Sequence, residues 1–400
     1  MPKKTAFFIF LLFGFVVLLG VNYFLEPFKK IEEKVGEVIE EVLPKKATSP
    51  VQEAFAKLDL EEKIGQILAW PLEIENGEFP AKDQKDQYKS MVAKKPGFYT
   101  LFGNSLDLKS AKSAIQKLKK DTKSDLRPWI AVDHEGGQVQ RLSGEGFTRL
   151  TSWNNMCGEE GDISAKVLRK SAKELSEAGV DVVFGPVVDA GQSNASFLGN
   201  RICADDPNLV VLKSGQYINA FRTEGILSVV KHFPGIGAIK KDLHNSFATT
   251  SVSAKDVFIY KNLLQYFPDI GVLTSHAGIE NQYDDIPCSL SAVCVGELSE
   301  SFGAVLIFTD ALEMKSASYI SSASKSAGVK EPTLAEIAKK AILAGNNVLV
   351  FGPNVSPNEL NAIYDMLVIE YQQNRDFKEK VDKSVQKILD YKLVVKGNFE

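Results

Sequence analysis

Eight short, apolar, β-rich runs, each followed by a segment of helical spacing, constrain the fold of this chain more than any other feature. The runs are "IGQILAW", "GFYTLFG", "PWIAVD", "VDVVFGPVVD", "ILSVVKHF", "IGVLTSHA", "AVLIFTD" and "NNVLVFG". Between them lie segments such as "LKSAKSAIQKLKK", "AKVLRKSAKELSEAG" and "TLAEIAKKAILAG", whose apolar residues recur with helical period. Strands that are apolar throughout are buried on both faces, which implies a parallel sheet covered by helices. Eight such units predict an α/β fold, a single (β/α)8 TIM barrel, with a doubly wound open sheet as the alternative. Insertions after the third, fourth and fifth strands absorb the extra length, and nothing marks a second globular domain. With 44% apolar and 24% charged residues the chain can bury a large core. A net charge of −4 supplies no field that gathers nucleic acid, and no run of basic and aromatic residues suggests such a partner.

The N-terminus departs from this pattern. After "MPKK" comes "TAFFIFLLFGFVVLLGVNYFL", an uncharged stretch over residues 5–25. As a helix it would span the roughly 30 Å of hydrocarbon in a bilayer. A cleaved signal peptide is the rival reading, but its apolar region is shorter and ends in a small-residue cleavage site, and neither feature is present. Residues 1–25 are therefore expected to be a cytoplasmic stub and membrane anchor, giving a single-pass protein of the cell membrane with its globular part outside the cytoplasm. Residues 26–50 are expected to form a stalk helix, with an apolar stripe at Phe28, Ile31, Val35, Val38 and Val42, and then a linker, "PKKATSP". Residues 51–400 are the globular domain. The four cysteines, Cys157, Cys203, Cys288 and Cys294, are too few for a disulfide scaffold and show no metal-binding spacing, although one or two bridges can form outside the cytoplasm.

In a (β/α)8 barrel the chemistry lies at the C-terminal ends of the strands, where the βα loops converge. The third strand ends at Asp133-His134-Glu135, the fifth at Lys231-His232, the sixth at His276 and the seventh at Asp310. All four histidines of the chain fall at such an end or in the loop that follows it. Taken singly, Asp310 is as well explained as a helix N-cap and His276 as a buried, hydrogen-bonded histidine. Taken together they point to an active site. In "KHFPGIGAIKKDLHNS", Lys231 and His232 can contact hydroxyl or carbonyl oxygens. The loop then returns with Asp242-Leu243-His244, a spacing that lets a carboxylate brace an imidazole as a general acid/base on a mobile loop. Asp310, a carboxylate on the rigid barrel, suits nucleophilic attack. A carboxylate nucleophile with a separate proton donor is the equipment of retaining glycoside hydrolysis.

From residue 54 to the last strand the chain resembles glycoside hydrolase family 3, in particular its bacterial single-domain β-N-acetylglucosaminidases (β-N-acetylhexosaminidases). The marks are "LDLEEKIGQIL", "AVDHEGGQVQRL", "GVDVVFGPVVD", "KHFPGIG…KKDLHNS", "LTSHAGI", "SLSAVCVGELSESFGAVLIFTDALEM" and "AGNNVLVFG". The resemblance implies Asp310 as nucleophile and His244, supported by Asp242, as acid/base. It implies that Asp133, Arg141, Arg201, Lys231 and His232 bind the hydroxyls of a terminal sugar, with His276 near the site. The implied reaction is exo-acting removal of terminal β-N-acetylglucosamine through a covalent glycosyl-enzyme. No metal or organic cofactor is implied, and the expected partner is a glycan ending in N-acetylglucosamine. The anchor would make it cell-wall glycan or its fragments, while the oligomeric state is left open. Alternatives are a β-glycosidase or phosphorolytic enzyme of other sugar specificity, or a membrane-tethered glycan-binding homologue whose catalysis has lapsed. The chain also departs from the family pattern. Ile236 stands where histidine is usual, Gln138 where arginine is usual and His134 where glutamine is common, and "NRICADDP" differs around Arg201. Ile236 is expected to alter loop packing rather than abolish activity.

Overall fold

A computed structural model of the 400-residue chain describes residues 49–73, 85–103, 106–124, 126–159, 162–280, 286–303, 305–319 and 328–395. Residues from Ala54 onward form one compact unit. Among the described residues its main sheet has eight parallel strands: β1 (Leu68–Glu73), β2 (Phe98–Phe102), β3 (Trp129–Gly136), β4 (Val182–Val187), β5 (Leu227–Phe233), β6 (Gly271–Thr274), β7 (Leu306–Thr309) and β8 (Leu349–Val350). Each strand pairs with its neighbours in sequence, and β1 pairs with β8 through Leu68–Leu349 and Ala69–Val350. Between β7 and β8 the ring is nearly closed by a single parallel bridge from Phe308 to Val348. The order never reverses, so this is a barrel and not the doubly wound open sheet, which requires a switch in strand order.

Burial explains why the strands are apolar throughout. Every residue of β4 and β5 is buried, because helices cover the outside of the ring and side chains fill its inside. Phe308 of β7 meets Phe98 of β2 and Phe184 of β4 edge-on, at centroid distances of 5.5 and 5.8 Å. These strands are not neighbours, so the rings meet across the interior and plug it.

Helix boundaries follow capping chemistry. Asp59, Ser253, Thr333 and Ser356 each begin a helix with a reciprocal capping box. The box at Asp59 corrects one sequence boundary: "IGQ" closes the helix Leu60–Gln66, and β1 starts only at Leu68. Two disulfides join Cys157 to Cys203 and Cys288 to Cys294.

No helix among the described residues is long and apolar enough to cross a membrane. A span needs about 20 consecutive apolar residues, and helices such as Asp162–Ala178 and Pro357–Gln373 have 17 residues with charged faces. This corrects the expected single-pass membrane protein. The apolar run on which that expectation rested, residues 5–25, lies outside the described residues, as do the stalk and all but the last two residues of the linker.

Candidate active site

Side chains alternate along a strand, so β3 turns Asp133 and Glu135 to one side and His134 to the other. Glu135 is buried and gathers two cations. Lys231 Nζ lies 2.5 Å from its Oε1, and Arg201 approaches through Nε at 2.7 Å and Nη2 at 3.0 Å. Burial alone would raise the Glu135 carboxyl, but Arg201 and Lys231 outweigh it and hold it at about 2. Lys231 also donates to Asp133 Oδ1 at 2.9 Å. Its burial is offset by Asp133 and Glu135, which keep the ammonium charged. Arg141 completes the cluster with Nη2 3.5 Å from Asp133 Oδ2.

His232 follows Lys231 directly, and both line the same cavity. The peptide between them is cis, and the pairing register with β6 shifts between Lys231 and Phe233. His232 Nδ1 lies 2.7 Å from Asp189 Oδ2 and its Nε2 lies 3.3 Å from Arg201 Nη2.

Asp310 ends β7. Its N–H donates to Thr274 O at 2.9 Å, which ties it to β6, and its Oδ1 accepts from Ala311 N–H at 2.9 Å. Burial pushes this carboxyl up, but His232, His276 and His244, in their protonated forms, and the Ala311 N–H outweigh it, so it lies below its ordinary value. His276 is fully buried, with Nδ1 2.6 Å from Ser289 Oγ and Nε2 3.0 Å from Ala311 O. It therefore braces the residue after Asp310 and does not line the cavity.

The returning loop carries His244, whose Nδ1 lies 2.7 Å from Asp242 Oδ1. Both side chains are well exposed, at 62% and 47%. Asp242 is lowered: its burial works the other way but is outweighed by hydrogen bonds from the His244 N–H and imidazole. The loop is held to the segment after β7. Lys315 N–H donates to His244 O at 3.2 Å, Ser316 N–H to Leu243 O at 3.3 Å, and the Phe247 and Tyr319 rings stack at 3.7 Å.

One cavity of about 330 Å³ is lined by Asp133, Glu135, Arg141, Arg201, Lys231, His232, His244 and Asp310. Asp242 stands behind His244. Three carboxylates here carry no role in the sequence reading. Glu135 shares a strand face with Asp133, and the period of two would have found it. Asp189 ends "VDVVFGPVVD", so applying the strand-end rule to the fourth strand would have found it. Glu313 lines the cavity and accepts from Gly352 N–H at 2.9 Å. Burial raises its carboxyl, and nothing in its sequence position marks it. Ile236 also lines the cavity, with its N–H held by Asp189, while Gln138 is exposed and does not.

The profile "Glycosyl hydrolase family 3 N terminal domain" matches residues 59–391, nearly the whole described unit. The chain belongs to glycoside hydrolase family 3. A β-hexosaminidase of Psychromonas ingrahamii is 29% identical over 263 residues, covering 62% of this chain and 75% of that protein. Another, of Thioalkalivibrio sulfidiphilus, is 32% identical over 203 residues, covering 47% of this chain and 57% of that one. In structure the family 3 chain superposes on a β-N-acetylhexosaminidase from Beutenbergia cavernae with a TM-score of 0.73 at 21% identity, covering 85% of this chain and 100% of that one. It superposes on a β-N-acetylglucosaminidase from Thermotoga maritima with a TM-score of 0.66 at 20% identity, covering 83% and 67%. At these identities the likeness is one of fold.

Proposed function

We propose that this family 3 chain is an exo-acting retaining glycoside hydrolase that removes terminal β-N-acetylglucosamine from glycans. One observation carries the reading: a carboxylate held ionised on the barrel, Asp310, and an imidazole backed by a carboxylate, His244 with Asp242, line a single cavity. The family and its β-hexosaminidase relatives supply the reaction class and the sugar.

Asp310 Oδ1 is engaged by Ala311 N–H, so Oδ2 is the attacking oxygen. It forms a bond to the anomeric carbon as the bond to the departing oxygen breaks, and His244 Nε2–H gives that oxygen its proton. Asp242 holds the other nitrogen and stabilises the imidazolium before transfer. In the second half, His244 takes a proton from water, the water oxygen attacks the anomeric carbon, and Asp310 is released. Asp133 accepts from sugar hydroxyls, while Lys231, Arg141 and Arg201 donate. Charged groups gathered around one terminal sugar favour cleavage from the chain end. All of this chemistry is assigned to residues 51–400. The cell-wall origin of the glycan rested on the membrane anchor and is withdrawn with it. A glycan binder without catalysis is disfavoured by the intact Asp310 and Asp242–His244.

Asp310→Ala should abolish release of 4-nitrophenol from 4-nitrophenyl N-acetyl-β-glucosaminide while the circular dichroism spectrum is unchanged. Undiminished turnover would refute the assignment, and a panel of other aryl glycosides reads the sugar preference of the unaltered chain.

A further inference from the structure

Asp189 lies just beyond β4, is buried, and spends both carboxylate oxygens on the segment that ends β5. Oδ2 lies 2.7 Å from His232 Nδ1 and accepts from His232 N–H at 3.2 Å, and Oδ1 accepts from Ile236 N–H at 2.7 Å. A carboxylate only accepts, so Nδ1 carries a proton. The opposite edge of the ring faces Arg201, with Nε2 3.3 Å from Nη2. A guanidinium only donates, so Nε2 must present its lone pair. Arg201 is itself gripped through two bonds by Glu135 and is not free to turn away.

We propose that Asp189 is a positioning residue that holds the proton of His232 on Nδ1, while the Arg201 guanidinium at Nε2 keeps that nitrogen unprotonated, and that through His232 it orients Arg201 at the sugar-binding face of the cavity. The role given to His232 rests on the glycosidase reading above, but the tautomer does not. The chain Asp189–His232–Arg201–Glu135 is then a line of donors and acceptors with one consistent direction. Reversing the imidazole proton would set N–H against N–H at Arg201 and disturb the donors facing the sugar. Carboxylates that fix metal-bound histidines through the far nitrogen are worth on the order of 10–100-fold in activity when removed, and the same scale is expected here.

Two measurements on the full chain test this. Long-range ¹H–¹⁵N correlation at neutral pH resolves the four histidines, and loss of one signal set in His232→Gln assigns His232. The expected pattern is a protonated Nδ1 and an unprotonated Nε2. A proton on Nε2, alone or together with Nδ1, overturns the proposal whether or not the glycoside is hydrolysed. Second, Asp189→Asn, whose single amide oxygen can serve the imidazole or the Ile236 N–H but not both, should lower kcat/KM for the aryl glycoside on the order of 10–100-fold. In the His232→Gln background the same change should cost less than about twofold. An equal loss in both backgrounds means that Asp189 acts through the Ile236 turn and not through the imidazole, which also overturns it. If Asp189→Asn does not fold, the tautomer measured on the unaltered chain decides alone. If the unaltered chain shows no glycosidase activity, the functional reading fails while the tautomer still stands or falls by its spectrum.

Discussion

At the scale of single residues, the proposed proton donor and the proposed attacker sit in contrasting surroundings. His244 stands on an exposed rim with one carboxylate behind it, whereas Asp310 ends a buried strand. A proton donor matters most when the leaving group is poor. His244→Ala should therefore lower kcat/KM on the order of 10²–10⁴-fold for an N-acetylglucosamine disaccharide. For a nitrophenyl glycoside, whose leaving oxygen needs little protonation, the loss should be much smaller. Steady-state rates on the two substrates check this, and equal losses would remove His244 from the role. Most of the cavity was legible because strand-end positions and the Asp-x-His spacing are local signals. Glu135, named only as a strand end, and Asp189 are reached by the same two rules, while Glu313 has no local signal. Its place depends on the N–H of Gly352, 39 residues away.

At the scale of elements, the positions of the barrel strands were legible and their ends were not. "NNVLVFG" reads as a full strand, yet only Leu349–Val350 pairs regularly in β8; before it, the Asn347 side chain stands in for part of the ladder, its Oδ1 accepting from Ile307 N–H at 2.9 Å while the Asn347 backbone N–H donates to Ile307 O at 2.8 Å. The helices read better: "TLAEIAKKAILAG" is bounded by the Thr333 capping box and by Gly345, whose φ of 114° ends the helix Leu334–Ala344. Pairing of the cysteines was left open, since spacing alone does not set it. The Cys157–Cys203 bridge fastens the helix Trp153–Gly158 to the segment just after Arg201. Its removal by Cys203→Ser should cost roughly 2–4 kcal/mol of stability in denaturant titration. It should also raise KM more than it lowers kcat, because the role proposed for Arg201 is to bind the sugar and not to move the proton. A change confined to kcat would contradict that role.

At the scale of the whole molecule, one buried histidine makes the fold sensitive to acid. His134 packs against Phe221 outside the cavity, with Nε2 2.7 Å from Ser171 Oγ, and its burial lowers its pKa to about 3 from an ordinary 6.5. Between those values the unfolded chain binds a proton at this position and the folded chain does not. Its contribution is therefore complete above pH 6.5 and is lost as pH falls toward 3, by about 1.4 kcal/mol per pH unit. His134→Gln should flatten the loss of melting temperature over that window, and an unchanged profile would contradict it. The ring of strands and the cavity at its mouth come together in the central claim, that Asp310 becomes covalently bonded to the sugar. The most direct measurement is peptide mass mapping after incubation with a fluorinated N-acetylglucosaminyl fluoride that slows release of the intermediate. The expected result is one added sugar on the peptide that contains Asp310. A sugar attached to any other residue, or turnover of the reagent with no adduct at all, would contradict it.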